Sequence, residues 1–251
     1  MADISLLDRT RRLSSLLHTT ETPKVAFSDI CALMAELLDS KVCTFSKKGK
    51  LLGFGGECDG ILELNDILVG DFLPEEINHR FLSILSTNEN AVPQTLGLNN
   101  PKDRVPRVLV TPVIMSGERL GTIVIYRMGG AYGIDDIILC EYGATVVSLE
   151  MLRSLSGERE ENVRSVRSVQ AALDSLSPAE KTALKALLSE LGEGEALIVS
   201  SRIAEDHGLT RTVVVNAIRK MESAGVFYAH SAGVKGTRIR VVNDFILTAD
   251  I

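Results

Sequence analysis

The sequence predicts an α+β chain in two unlike parts. The first is an antiparallel sheet flanked by helices; the second, beyond a long helical linker, is three helices closed by a small hairpin. Three observations carry this. The stretches "KVCTFSKKGKLLGF" and "RVLVTPVIMSGERLGTIVIYR" read as β-hairpins, with β-branched and apolar runs on either side of short turns. Around them, apolar residues recur every three or four positions, the spacing of a buried helix face. From Ser177 onward, a capping box opens a second run of helices that end at glycines.

Taken in order, residues 5–18 form a first helix, and Ser28 caps a second over 29–39 with Ile30, Leu33, Met34, Leu37 and Leu38 on one side. The first hairpin follows, turning at Lys-Lys-Gly. Residues 55–70 begin with a Gly-rich loop. A helix then runs from Pro74, placed at its first position, to about Leu85, with Glu75 and Glu76 facing the positive dipole end. Residues 86–106, with Pro93, Pro101 and Pro106, read as loop. The second hairpin turns at Ser116-Gly117-Glu118, and a long helix begins near Asp135. Residues 156–175 are charged yet helical, with Val163, Val166 and Val169 spaced by threes and Leu173 beyond. This is a spacer, a dimerisation seam or a rod that transmits motion.

In the last part, Ser177 and Glu180 make the capping box, Pro178 sits at the first helical position, and Gly192 stops the helix. A short helix follows, capped by Ser200 or Ser201 and ended by Gly208. Thr210 caps a third over 211–223, which Gly225 stops. Strand, glycine turn and strand complete the winged helix-turn-helix order. The expected domains are 1–155, a linker at 156–176, and 177–251.

Composition excludes several classes. Of 251 residues, 45% are hydrophobic and 24% charged, ordinary for a globular protein with enough apolar material for two cores. No window of 18 apolar residues suggests a membrane span. The N-terminus is an amphipathic helix rather than an export signal, so the chain is expected in the cytoplasm. Cys31, Cys43, Cys58 and Cys140 form no CxxC pair and read as reduced, largely buried thiols. Neither the cysteines nor the four histidines have metal-ligand spacing, and no catalytic motif is present. No metal, cofactor or enzymatic activity is expected.

Charge is uneven. The net charge is -6, yet residues 196–243 hold seven basic groups against three acids. Fields are screened beyond roughly 10 Å at cellular salt, so the local excess governs what an anion meets. On the helix at 211–223, Val214, Ala217, Ile218 and Met221 make the core stripe. The opposite face carries Arg211, Thr212, Val215, Asn216 and Arg219. Arg can bind guanine bidentately, Asn can bind adenine, and Thr or Val can touch a thymine methyl. Arg219 and Lys220 lie farther along, placed for phosphates. Lys235, Thr237 and Arg238 sit at the hairpin turn, where a wing meets backbone or minor groove. Ser200, Ser201 and Arg202 open the preceding helix, and Thr210 caps the outward one. Together these residues point to double-stranded DNA. A winged domain that instead mediates protein contacts, in a ligand-sensing or scaffolding chain, is the alternative.

These segments resemble a known family. "SSRIAEDHGLTRTVVVNAIRKMESAGV" and "GVKGTRIRVVN" are similar to the DNA-binding end of CodY, a family of global repressors. "LLDRTRRL", "KKGKLLG", "LPEE", "GERLGT" and "DDIILCEYGATVVSLEMLR" extend the resemblance over most of the chain, with residues 55–106 the divergent part. The resemblance implies a GAF domain that binds branched-chain amino acids (isoleucine, valine or leucine), a helical linker and a winged helix-turn-helix. It further implies a homodimer, a response to GTP, and repression of metabolic genes from an A/T-rich palindromic operator. "SGERLGT" reads as a hairpin turn rather than a phosphate-cradling loop.

The resemblance places the effector pocket at Glu63, Leu64, Ile67, Leu73 and Pro93. An arginine holding the ligand carboxylate should stand ten residues before Leu73; here that position is Glu63. A carboxylate there repels a ligand carboxylate, so weak branched-chain amino acid binding is expected unless Arg80, Arg104 or Arg107 replaces the anchor.

Overall fold

The computed structural model describes residues 6–17, 27–58, 60–100, 105–191, 194–233, 236–249 and 251. The chain divides into two compact units, Met1–Leu155 and Ser156–Ile251.

The first unit is built on a five-stranded antiparallel sheet. Its strands are β1 (Lys41–Ser46), β2 (Leu51–Gly55), β3 (Asn88–Ala91), β4 (Arg107–Met115) and β5 (Glu118–Arg127), ordered β2-β1-β5-β4-β3. β4 and β5 turn on Ser116 and Gly117, both at positive φ (53° and 79°), the geometry a two-residue hairpin needs. Alternation along the strands sends side chains to two cores. On one face Val42, Leu109, Val113, Ile123 and Ile125 meet α1 (Leu6–Leu17), α2 (Phe27–Leu38) and the start of α4 (Ile134–Asp174). On the other, Cys43, Phe45, Val108, Val110, Val124 and Tyr126 meet α3 (Glu75–Ser83) and the loops at 61–73 and 96–98. α2 lies hard against β2. A Cβ at Gly55 would come within 2.4 Å of the Ala32 backbone, so only glycine permits that approach.

Cys31, Cys43 and Cys140 are free thiols, and all three are buried. Burial pushes the Cys31 thiol up to about 11 and the Cys43 and Cys140 thiols to about 12. These thiols stay protonated at neutral pH and are poor nucleophiles.

The second unit holds the last turns of α4, then α5 (Pro178–Leu191), β6 (Glu195–Ile198), α6 (Ser200–Asp206), α7 (Arg211–Ser223), β7 (Phe227–Ser231) and β8 (Thr237–Val241). The strands form an antiparallel sheet ordered β6-β8-β7. Its core gathers Leu184, Leu187, Ile203, Val214, Ile218, Met221, Phe227 and Ile239, together with Val169, Ala172, Leu173 and Leu176 from ahead of α5. The capping box at Ser177 and Glu180 is present in both directions, at 2.8 and 3.3 Å.

The structure departs from the sequence reading at several ends. α2 starts at Phe27, so Ser28 lies inside it rather than capping it. Pro74 keeps an extended ψ of 136° and is the cap of α3, which leaves Glu75 and Glu76 in the first turn and ends at Ser83. Val199, not a serine, occupies the cap of α6. β3 is a strand where loop was expected, because "NENA" is polar and half exposed, and β6 falls on residues given no element, "EALI" being too short to display a period. The line of valines divides. Val169 and Leu173 are buried in the second unit, while Val163 and Val166 are 48% and 47% exposed. Gly192, expected to stop α5, lies outside the described residues.

Candidate functional site

α6 and α7 are joined by a tight turn at Gly208, whose φ is 65°. Leu209 N–H returns to the Ala204 carbonyl at 2.8 Å, which closes the end of α6. Thr210 then caps α7 and its hydroxyl accepts from Val213 N–H. This cap fixes which residues come first on α7. With Val214, Ala217, Ile218 and Met221 buried, Arg211, Thr212, Asn216 and Arg219 are exposed and Val215 is half-buried. Neither Arg211 nor Arg219 has an ion pair among the described residues. The face presents two free guanidiniums, an amide and a methyl-bearing hydroxyl with no carboxylate among them.

Lys220 stands apart from that set. Its ammonium donates to Ser175 O at 2.9 Å and to Glu180 Oε2 at 2.7 Å. Held by the fold's own carboxylate, Lys220 braces α7 against α5, a contact the sequence reading did not include. The Lys220 hydrogen bond, followed by the Ser177 N–H, holds the Glu180 carboxyl below its ordinary value.

Ser200 is half-buried and Ser201 exposed, at the first positions of α6. Arg202 is exposed and lies 3.8 Å from Asp206 one turn on. On β8, Arg238 is exposed and 3.4 Å from Glu195, and Thr237 is half-buried at the strand's start. Lys235, expected at the wing turn, lies outside the described residues. The sequence reading did not single out Arg240, which shares the outer face of β8 with Arg238 and stands 5.7 Å from the Tyr228 ring. The alternation Arg238-Ile239-Arg240 was the signal that could have found it.

In the first unit, Leu64 and Leu73 are buried in the loop-side core with Leu96 and Leu98, and Ile67 packs against them. Pro93 is buried at the head of the 3-10 turn Pro93–Leu96. The structure thus brings Leu64, Ile67 and Leu73 of the expected pocket into one core. Glu63 sits in the 3-10 turn Leu62–Leu64, and its carboxylate takes Asn99 N–H at 2.9 Å and the Asn99 side-chain amide. Arg80 lies across Gly97, Arg107 is exposed, and Arg104 is outside the described residues. In the "SGERLGT" hairpin, Arg119 donates to the carbonyls of Phe81, Ile84 and Gly121, which makes it a brace for α3. A cleft of about 560 Å³ opens elsewhere, among Glu36, Asp39, Glu57 and Arg127, and none of the expected effector residues lines it. Among the described residues no cluster could hold a metal ion, and no helix is long and apolar enough to cross a membrane.

An α+β unit with a loop-covered sheet face, followed by a winged helix-turn-helix whose outward helix presents a face of Arg211, Thr212, Asn216 and Arg219 without a carboxylate, defines a transcription regulator. The CodY GAF-like domain model matches residues 5–175, and the CodY helix-turn-helix domain model matches residues 193–249. The chain is 40% identical over 253 residues to the global transcriptional regulator CodY of Clostridium botulinum strain Alaska E43, covering 97% of this chain and 96% of that one. It is 39% identical over 257 residues to the CodY of Lysinibacillus sphaericus, covering 98% and 97%. Among solved structures it is similar to the cofactor-binding GAF domain of the nutrient sensor CodY from Clostridium difficile. That match is 30% identical with a TM-score of 0.43, covering 60% of this chain and 99% of the other. The chain belongs to the CodY family of transcriptional regulators.

Proposed function

We propose that the chain is a cytoplasmic, dimeric repressor whose winged unit binds double-stranded DNA and whose first unit tunes that binding through a small molecule. The observation that carries it is the outward face of α7: Arg211, Thr212, Asn216 and Arg219, all exposed and with no carboxylate among them. In a helix-turn-helix this helix enters the major groove, its first residues nearest the base edges. Arg219, two turns on, is placed for phosphate.

A single winged helix reads a short site, and a palindrome needs two at fixed separation. A surface suited to pairing exists on α4, where Ile138, Leu149, Leu152 and Leu155 are between 37% and 43% exposed. That face is partly open to water in an isolated chain, and a second copy removes its apolar area from water.

The small molecule follows from the family: a branched-chain amino acid against Leu64, Ile67 and Leu73, and GTP as a second effector. The reading assigns no catalysis to the chain. Binding to a labelled A/T-rich palindromic duplex tests it. Tight binding with a steep negative dependence on salt supports DNA recognition. Absent or salt-independent binding favours a winged unit that contacts protein instead.

A further inference from the structure

Alternation along the sheet of the winged unit turns Phe227, Ile239 and Val241 into the core, together with the buried side of α7. Tyr228, His230, Arg238 and Arg240 stay exposed on the outer face. The core separates this face from the outward residues of α7, so the two are distinct surfaces of one unit.

The register sets the outer residues side by side. Tyr228 stands opposite Arg240, and His230 opposite Arg238. The Arg240 guanidinium lies 5.7 Å from the centre of the Tyr228 ring, and Tyr228 is 55% exposed. β7 is the last strand of the order β6-β8-β7, so among the described residues no strand flanks the ring on its far side. Arg238 and Arg240 are two positions apart on β8, about 7 Å along the strand. Glu195, opposite Arg240 on β6, lies 3.4 Å from Arg238. Both side chains of that pair are open to water, and an exposed pair of this kind contributes little, so it gives way to a stronger anion. Glu195, Tyr228, Arg238 and Arg240 together border a shallow cleft of about 260 Å³.

A guanidinium takes a phosphate through two parallel N–H donors. An aromatic ring open beside such cations takes the flat face of an unpaired base. A duplex has no use for the ring, because its bases already stack on one another. An acidic peptide would engage the guanidiniums and leave the ring without a planar partner. Ring and charge together therefore favour a single strand over either. We propose that the outer face of the β6-β8-β7 sheet binds single-stranded nucleic acid, with a base stacked on Tyr228 and neighbouring phosphates on Arg240 and Arg238. Unpaired DNA and RNA share this chemistry. The surface is additional to the duplex-reading face of α7 and does not depend on it.

Fluorescence anisotropy on the full chain tests it. The probes are short labelled strands of oligodeoxyuridylate and oligouridylate, an oligoglutamate peptide of equal charge, and an A/T-rich palindromic duplex. The native chain should bind at least one strand, and the peptide at least about tenfold more weakly. Tyr228→Leu should weaken strand binding by about fivefold or more, the loss of one stacked base. Tyr228→Phe keeps the ring and should bind as the native chain does. Arg240→Gln should weaken strand binding and lower its salt slope by about 0.7. Duplex binding should be the same in all three variants. The ratio of the two strand affinities tells the source, a preference for oligouridylate marking a contact to the 2′-hydroxyl. Three results would overturn the proposal: no strand bound by the native chain, native strand affinity in folded Tyr228→Leu, or oligoglutamate bound as tightly as a strand, which would make an acidic peptide the occupant. Should a variant fail to fold, the native chain decides: a strand that the duplex displaces sits on α7, and the proposal falls. A chain that binds strands but no duplex loses the reading of α7 and keeps this one.

Discussion

Lys220 Nζ stands 2.7 Å from Glu180 Oε2, and the same carboxylate oxygen accepts the Ser177 N–H at 2.8 Å. One oxygen thus fastens the outward helix to the capping box of α5. Lys220→Met should lower stability by about 1–2 kcal/mol, between the values for exposed and fully buried pairs. It should leave the salt slope of DNA binding unchanged. Urea denaturation and salt-dependent DNA titration read the two effects separately.

The same contact predicts a pH dependence. The Glu180 carboxyl is held below its ordinary 4.5 in the folded chain, chiefly by Lys220. Its contribution is fully present above that value and is lost as pH falls below it, because the unfolded chain takes up the proton first. Denaturation midpoints should fall between neutral and acid pH, and Glu180→Gln should fall less steeply. Equal slopes in the two proteins would remove Glu180 as a source.

Arg211→Ala should lower affinity for the specific duplex by about 1–3 kcal/mol, as expected for a residue that reads a base. The side chain faces out, so the melting temperature should hold. Arg219→Ala should weaken all duplexes alike and reduce the salt slope by about 1. A folded Arg211→Ala with native affinity would take the residue out of the reading set.

Glu63→Ala strips Asn99 of its acceptor and should cost about 1 kcal/mol, a typical hydrogen-bond contribution at a half-buried site. Glu63→Gln keeps an acceptor oxygen and should cost less. Thermal denaturation of the two variants gives the order.

Light scattering at micromolar concentration should show a dimer for the native chain. Leu149→Asp places a charge on the exposed apolar face of α4 and should yield a folded monomer. A native monomer, with and without DNA, would count decisively against pairing.

Elements with a strong period were legible in the sequence. The β4–β5 hairpin announces itself through two β-branched runs, and α7 through its core stripe between Thr210 and Gly225. β3 was not legible: its pairing depends on β4 lying beside it at Asn88↔Val110 and Ala91↔Val108, a tertiary fact. The outward face of α7 followed from helical geometry alone. The fate of Lys220 did not, because its partner lies 40 residues away.

Val169, Ala172, Leu173 and Leu176 are sealed in the core of the winged unit, although they precede its capping box at Ser177. A fragment begun at Ser177 would carry an open apolar trench where those four side chains belong, and would be prone to clump. Protease nicking in the exposed stretch before Val169 would instead release a piece with its own lid attached. The portable DNA-reading cassette, the portion that recombination could transplant intact onto another sensor, therefore begins two helical turns upstream of the point where its sequence motif starts.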